Sequence, residues 1–472
     1  MKLLYKTSKV RLLAAFVGLL TITSCKDDLP KPMDTSANET VLTSIKLVNA
    51  GATGTTVLQG TVNEDEKTIS FPRIEPETDF SQLKFEAVTS TGAKLDKDSY
   101  SVTFAEGEAE KVIVVKVMNS PRFREYLVRL RLKVPVFGAD FEKGTTYDFT
   151  SNPLGNPIYD AFAGAVTRAS GFDGNQVFIG HRTAPHVLNV SDLKAGVINK
   201  LPLNMTGVPG AYSGTFVNGH SYLVNLSGAT DASGLKIHHW ASPTAAPEMI
   251  VNVTTVPGAG TTRYGDNFSA NLDAQGNGYF FLGNNAGNRV LRFTVANYTN
   301  VSDPVSFAVT GTAAGSWSTF NRIGNTAEYL FTGHAAQISL VSEGGTAAFT
   351  MSGTNVPLIA SDARIVNFNS ERYLIVTTAA RTAGNFTNFM VYDITKGATV
   401  REALTNLNNL PSATPIFNYS LMGPINTSPA SQTGFYVKKD AQGNDETLML
   451  YSGASDAGFV FFEFGKKVAS DI

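Results

Sequence analysis

The chain of 472 residues carries 38 Lys and Arg against 40 Asp and Glu, a formal net charge of −2, and a single cysteine. Proteins that hold nucleic acid or anionic surfaces concentrate positive charge, and no cluster of Lys and Arg stands out along this sequence, so those partners are excluded. One cysteine excludes an intramolecular disulfide; the fold must be stabilised by core burial, and the length suits two to three domains.

The first element reads as a leader. Lys2, Lys6, Lys9 and Arg11 precede an eleven-residue apolar run from Leu12 to Ile22, and Thr23 and Ser24 lead directly into Cys25. A bilayer span needs about 20 apolar residues, so the run is a secretory h-region. The boundary Ile22-Thr23-Ser24-Cys25 resembles a bacterial lipobox, although it departs from the commonest Leu-Ala-Gly form, and Lys26-Asp27-Asp28 resembles the surface-export signal of Bacteroidetes lipoproteins. The resemblance implies a signal peptide over residues 1–24, acylation of Cys25, and attachment to outer-membrane lipid with the protein exposed at the cell surface. Each buried acyl CH₂ contributes about 0.8 kcal/mol to such an anchor. The plain alternative is a secreted protein with an incidental cysteine. Residues 25–40 then comprise the lipidated Cys and a polar tether with Pro30 and Pro32 and no apolar periodicity.

Charged residues number 36 in residues 1–135 but only 42 in the remaining 337. That step places a domain boundary near Pro135 to Gly138. Over 41–135, apolar and polar residues alternate with period two at 44–48, 55–62, 68–71, 83–88, 100–104, 112–118 and 126–130. Seven short strands separated by turn signals predict a small β-sandwich. With neither a Cys pair nor a Trp, an antibody-type core is excluded. The pattern of Ile45-Lys46-Leu47, Lys67-Thr68-Ile69 and Tyr126-Leu127-Val128 resembles the Ig-like modules that precede functional domains in Bacteroidetes surface lipoproteins. The resemblance implies a spacer.

Residues 138–472 repeat one unit six times: an apolar strand, a tight Gly/Asn turn, then a strongly aliphatic or aromatic strand. The second strands include Gln176-Val177-Phe178-Ile179-Gly180, Tyr279-Phe280-Phe281-Leu282-Gly283 and Tyr329-Leu330-Phe331-Thr332-Gly333. Turns centred at 174, 219, 276, 325, 369 and 443 supply the positive φ that tight hairpins need. Asp-Ala-Gln-Gly-Asn occurs twice, at 273–277 and 440–444, in the same position of the unit. The second copy, followed by Asp445-Glu446, lacks the ligand spacing of a calcium loop and reads as a turn. A third strand follows most of the hairpins and a fourth often follows, and four strands in roughly 45 to 57 residues is the signature of a β-propeller blade. The all-β reading is therefore a small Ig-like sandwich followed by a β-propeller, with six blades favoured over seven and a stacked pair of sandwiches as the rival. The excess length near 404–430 reads as an insertion. No room remains for a fourth strand after Phe464, so a strand at 146–149 is expected to complete the last blade.

In a propeller, loops between blades and loops joining second to third strands share one face. The first set carries Tyr212, Arg263, Tyr264, Asp266, Trp317, Asp362, Arg364 and Tyr419. The second carries His181, Arg182, His186, Asn284, Asn285, Arg289, His334, Arg381 and Asn385. Aromatic faces beside amide and guanidinium donors suit the apolar face and hydroxyls of a sugar. Core packing is the competing role for each ring. Asp266 with Asp362, or His181 with His334, are the candidates for catalysis, yet no HExxH, GxSxG, P-loop or GxGxxG motif accompanies them. His238 and His239 alternate sides of a strand and cannot share a metal. No cofactor and no metal are expected.

The chain as a whole resembles Bacteroidetes lipoproteins with an Ig-like module followed by a propeller. That resemblance implies a lipid-anchored binding protein for a glycan or another extracellular ligand at the propeller mouth, in association with an outer-membrane uptake complex. A polysaccharide-degrading hydrolase or lyase using the same face, and a structural subunit of a surface complex, are the alternatives.

Overall fold

The computed structural model describes residues 38–467 except 106–107, 134–135, 151–158, 160–161, 163, 165, 229–233, 257, 260–261, 286–288, 353 and 429. The expected leader, Cys25 and most of the tether lie outside the described residues. The chain divides between Pro135 and Val136 into two compact units.

The N-terminal unit contains β1 (Leu42–Ala50), β2 (Thr56–Asn63), β3 (Thr68–Ser70), β4 (Phe85–Thr89), β5 (Lys94–Leu95), β6 (Glu110–Asn119) and β7 (Arg122–Arg131). Alternation sends Ile45, Leu47, Val115, Val117, Tyr126, Val128 and Leu130 into one core. The two-sheet Ig-like sandwich expected from that alternation is not what forms. All seven strands join one path, β4-β1-β2-β3-β7-β6-β5, a nearly closed barrel. The reason is β3: it pairs antiparallel with β2 and parallel with β7, so a short strand welds what would be two sheets into one. The strand expected at 100–104 contributes only a bridge from Tyr100 to Leu83, and the two-residue β5 ends the path beside β6.

The second unit is a six-bladed propeller. Its inner strands are Thr167–Phe172, Ser213–Val217, Ser269–Leu272, Ser316–Arg322, Ala360–Phe368 and Ser431–Lys439, opening blades 1 to 6 in turn. Each first hairpin turn holds positive φ, at Gly174, Asn218–Gly219, Gly276, Gly324, Asn369–Ser370 and Gly443. Both Asp-Ala-Gln-Gly-Asn turns close in one way: Asp273 and Asp440 accept from the backbone N–H groups two and four residues on, at 2.9 and 2.8 Å in each. The ring closes where expected. Thr145–Thr150 pairs antiparallel with Gly458–Gly465 as the outermost strand of blade 6, stacking Phe149 on Phe459 and Tyr147 on Phe461 at 5.0 and 4.6 Å. The extra length in blade 5 holds a helix, Val400–Asn408, started by a capping box between Thr399 and Glu402.

Most second-strand aromatics form the packing between blades. Phe178 stacks on Phe216, Phe281 on Phe320, and Tyr451 on Phe172, each pair bridging two blades. Along the axis the inner strands are polar and tie neighbours together by side chains. Asn271 donates to Phe320 O and accepts from Arg322 N, and Ser170 donates to Gln432.

Candidate functional site

Each inner strand runs from the between-blade face to its tight turn, so inner-strand starts and second-strand ends share one mouth. Three of the six inner strands are bulged at that end. In blade 1 Ser170 faces Ile179 but Thr167 faces His181; in blade 4 Thr319 faces Thr332 but Ser316 faces His334; in blade 5 Asp362 faces Thr377 but Ala360 faces Thr378. One extra residue enters the inner strand in each case, and bulges re-aim side chains in this manner beside sites. Glycines on the second strands make the close approach feasible. A Cβ on Gly180 would lie 2.7 Å from the Ala169 Cβ, and one on Gly333 would lie 2.2 Å from the Ala314 carbonyl oxygen. In blade 4 the bulge leaves Trp317 at φ +50°, a conformation that costs a bulky side chain energy and that folds retain chiefly at functional positions.

Two clusters stand at this mouth. In the first, the half-buried Tyr212 ring has the Arg168 guanidinium 5.0 Å and the Arg182 guanidinium 4.9 Å from its centre. Beside it Arg263 makes a bidentate pair with Asp266, Nε to Oδ2 at 2.9 Å and Nη2 to Oδ1 at 3.0 Å, which raises the Arg263 pKa. In the second, Arg381 lies 4.8 Å over the half-buried Trp317 ring and donates to Thr427 O, while buried His334 meets the indole edge-on at 6.0 Å. Burial first, and the Arg381 charge second, push the His334 pKa down and keep its ring neutral. Asn267 connects the two clusters, donating to the carbonyl oxygens of Trp317 and Ser318.

Other residues named from the sequence have different duties. Tyr264 is fully buried in the core between blades 2 and 3, its hydroxyl donating to Ala259 O; a two-residue strand, Arg263–Tyr264, paired with Ser227–Gly228 holds its ring in the core, and it offers no stacking surface. Asp362 is buried on the axis, where Oδ1 accepts from Thr319 and Asn321 and Oδ2 from the N–H and hydroxyl of Thr433. Four donors fill its acceptor capacity, so it ties blades 4, 5 and 6 and has no free lone pair for acid–base work. Arg364 donates to Thr433 O. His181 accepts from the Thr183 and Ala184 N–H groups and shapes its own loop. Arg289 donates to Ser306, Asn285 joins through its backbone to Arg263 O, His186 bonds Tyr159, and Tyr419 donates to Asp148 on the closing strand. Asp266 is held by Arg263, so the two proposed carboxylates do not make a catalytic pair. Among the described residues no group of three His, Cys, Asp or Glu side chains is placed to hold a metal ion.

Sequence reasoning missed Arg168, an inner-strand residue indistinguishable by pattern from its polar neighbours. It also missed a cavity of about 700 Å³ on the axis, lined by Ser170, Thr215, Asn271 and Asn321 and reaching the turns at Asp173 and Asn218. That hollow extends toward the turn end, opposite the mouth on which the candidate residues stand.

The chain matches the family described as "Domain of unknown function (DUF4623)" over residues 27–467. It belongs to that family. A solved DUF4623 protein from Bacteroides eggerthii is 37% identical, with a TM-score of 0.78 over 92% of this chain and 100% of the other. Two distant likenesses cover about two thirds of this chain. A subtype N10 neuraminidase-like protein of A/little yellow-shouldered bat/Guatemala/060/2010 has 12% identity and a TM-score of 0.37, over 66% of this chain and 98% of its own. Regucalcin from Agrobacterium tumefaciens has 10% and 0.38, over 65% and 94%. No curated protein matches.

Proposed function

We propose that this DUF4623 protein is a binding protein of the bacterial surface whose ligand, a glycan, lies across the propeller mouth. One observation carries the reading: two half-buried aromatic rings at one mouth, Tyr212 and Trp317, each with an arginine at its face, and Trp317 held in a backbone conformation unfavourable for tryptophan. A ring face that its arginine leaves uncovered would take the C–H face of a pyranose, and the guanidinium stacked on the ring would donate to hydroxyls from its plane. Binding is favoured over catalysis because Asp362 on the axis and Asp266 and Asp456 at the mouth are committed to other partners.

The anchor belongs to the same proposal. Cys25, acylated after removal of residues 1–24, holds the protein to outer-membrane lipid, and the N-terminal barrel acts as a spacer for a module that serves an uptake complex. Isothermal titration of the folded protein against plant and host polysaccharides tests the binding; it is expected to find at least one micromolar ligand whose binding Trp317→Ala abolishes. A folded protein that binds none of them overturns the reading. Labelled palmitate should enter the wild-type protein and not Cys25→Ser.

A further inference from the structure

Arg168 lies at the bulge that opens blade 1, and its side chain is wholly buried. Nε, Nη1 and Nη2 have no hydrogen-bond partner among the described residues. A guanidinium stays charged in proteins and carries five N–H donors in its plane. The ring of Tyr212 accommodates one face of that plane, 5.0 Å away, but a π-face does not accept from in-plane N–H groups.

The surroundings add to the imbalance. Burial is the largest cost to the charge on Arg168, and Arg182 and Arg263 add like charge; the one carboxylate in the group, Asp266, acts on it with opposite charge but gives both its oxygens to Arg263. Three cations therefore converge on one occupied anion. Folds do not ordinarily bury a charge with its donors unmet, because removal from water costs far more than packing returns. Where such a group is retained at a mouth, an acceptor arriving with the ligand is the partner that completes it.

We infer that the mouth recognises an acidic group on its ligand, a carboxylate or a sulfate ester, through Arg168 with Arg182 beside it. This rests on the reading of the mouth as a glycan site and assigns its ligand class: a uronate-bearing or sulfated polysaccharide in place of a neutral one. Trp317 and Arg381 then hold an adjoining sugar, and Arg168 reads the charge. A uronate and a sulfate ester share the oxyanion geometry that a guanidinium fork matches, so the experiment separates the two sources.

The test is titration of the full-length chain with polygalacturonate, chondroitin sulfate and neutral galactan at two salt concentrations, alongside thermal melting with inorganic sulfate. An acidic polymer is expected to bind about tenfold or more tightly than galactan, with affinity falling as salt rises. Whichever of the first two binds more tightly identifies the acidic group. Arg168→Met is expected to lose that preference while melting at or above the wild-type temperature without ligand, because it removes an unpaired buried charge. A merely structural arginine would melt lower when replaced. Equal affinity for acidic and neutral polymers, or a preference intact in Arg168→Met, overturns the inference. Should that variant fail to fold, Arg182→Gln on the exposed rim decides: a weakening of about threefold with a shallower salt dependence supports it, and no change overturns it. Tight galactan binding alone would leave the glycan reading standing without the anion. Sulfate-induced stabilisation lost in Arg168→Met, with no polymer bound, would keep the anion site and remove the glycan.

Discussion

The two ends of the propeller are built from the same six strands and treat them differently. At the turn end each inner strand finishes in a tight hairpin, with positive φ supplied mainly by glycine and asparagine, and the pairing runs regularly into the turn in every blade but the sixth, which shifts at Lys439. At the mouth three of the six strands take in an extra residue, and one of them holds a tryptophan where glycine would be at ease. Regularity at one end builds the ring. Departure from it at the other concentrates the aromatic and cationic side chains that a ligand would meet.

The contrast breaks most severely on the axis between those ends. Asp362→Ala takes the carboxylate from the Thr433 N–H and from one N–H of Asn321, which keeps only Ala363 O, and leaves the Thr319 hydroxyl with Thr332 alone, so three blades lose a shared tie in a buried setting. Loss of one partner from a buried charged network costs about 3–5 kcal/mol, so urea unfolding should show a midpoint shifted far below wild type. Asp362→Asn, which keeps the acceptor on one side, should fall between. A loss under about 1 kcal/mol in the Ala variant would mean the axis does not tie the blades.

A smaller loss is expected at the glycines that let the bulges form. Gly333→Ala puts a methyl 2.2 Å from the Ala314 carbonyl oxygen, and backbone must move to relieve it, at about 1–3 kcal/mol. Its effect should reach Trp317, read as a change in indole fluorescence, whereas Gly443→Ala at a turn with open space around it should strain only its own hairpin and leave the fluorescence unchanged.

Much of the ring could be read in the sequence because turns carry their chemistry openly. Asn218-Gly219 and the repeated Asp-Ala-Gln-Gly-Asn demand a backbone that only a few residues accept, and the closing strand followed from a blade short of one strand. The barrel could not be read in the same way. Alternation at Ile45-Lys46-Leu47 tells which face is buried but not which strand lies alongside, and the parallel pairing of β3 with β7 leaves no local mark. The mouth was half legible. Trp317, at the bulged start of an inner strand, and Arg381, in a loop, stand where composition draws attention, whereas Tyr264, of equal promise in sequence, is taken by the core. Arg168 escaped notice because the cations it joins, Arg182 and Arg263, are far apart along the chain.

Acid should weaken both ends. Burial, as the leading cause, pushes the pKa of His186, His220, His239 and His334 down, with His220 and His239 hydrogen-bonded at 2.8 Å and His220 stacked on Tyr298 toward the turn end. Below the ordinary value of 6.5 the unfolded chain takes up protons that the folded one refuses, so stability present above that pH declines as pH falls through it. Urea midpoints measured from pH 8 to 5.5 should drop on the acid side. His239→Gln should remove part of that slope by acting toward the turn end, and His334→Gln part of it at the mouth. A flat profile in the wild type would show that these rings protonate equally well in the fold.

The smallest effect on stability is expected at the residue with the most to do. Trp317→Gly removes the edge contact with His334 and the seat for Arg381, and at φ +50° it also removes a strain of about 1 kcal/mol that glycine does not feel. The two terms oppose one another, so the melting temperature should stay within a few degrees of wild type while binding at the mouth is lost. Asp362→Ala should do the reverse at permissive temperature, unfolding early but binding while folded. Were Trp317→Gly to unfold the protein as readily as the axial variant, the mouth would be part of the scaffold, and the distinction between its two ends would fail.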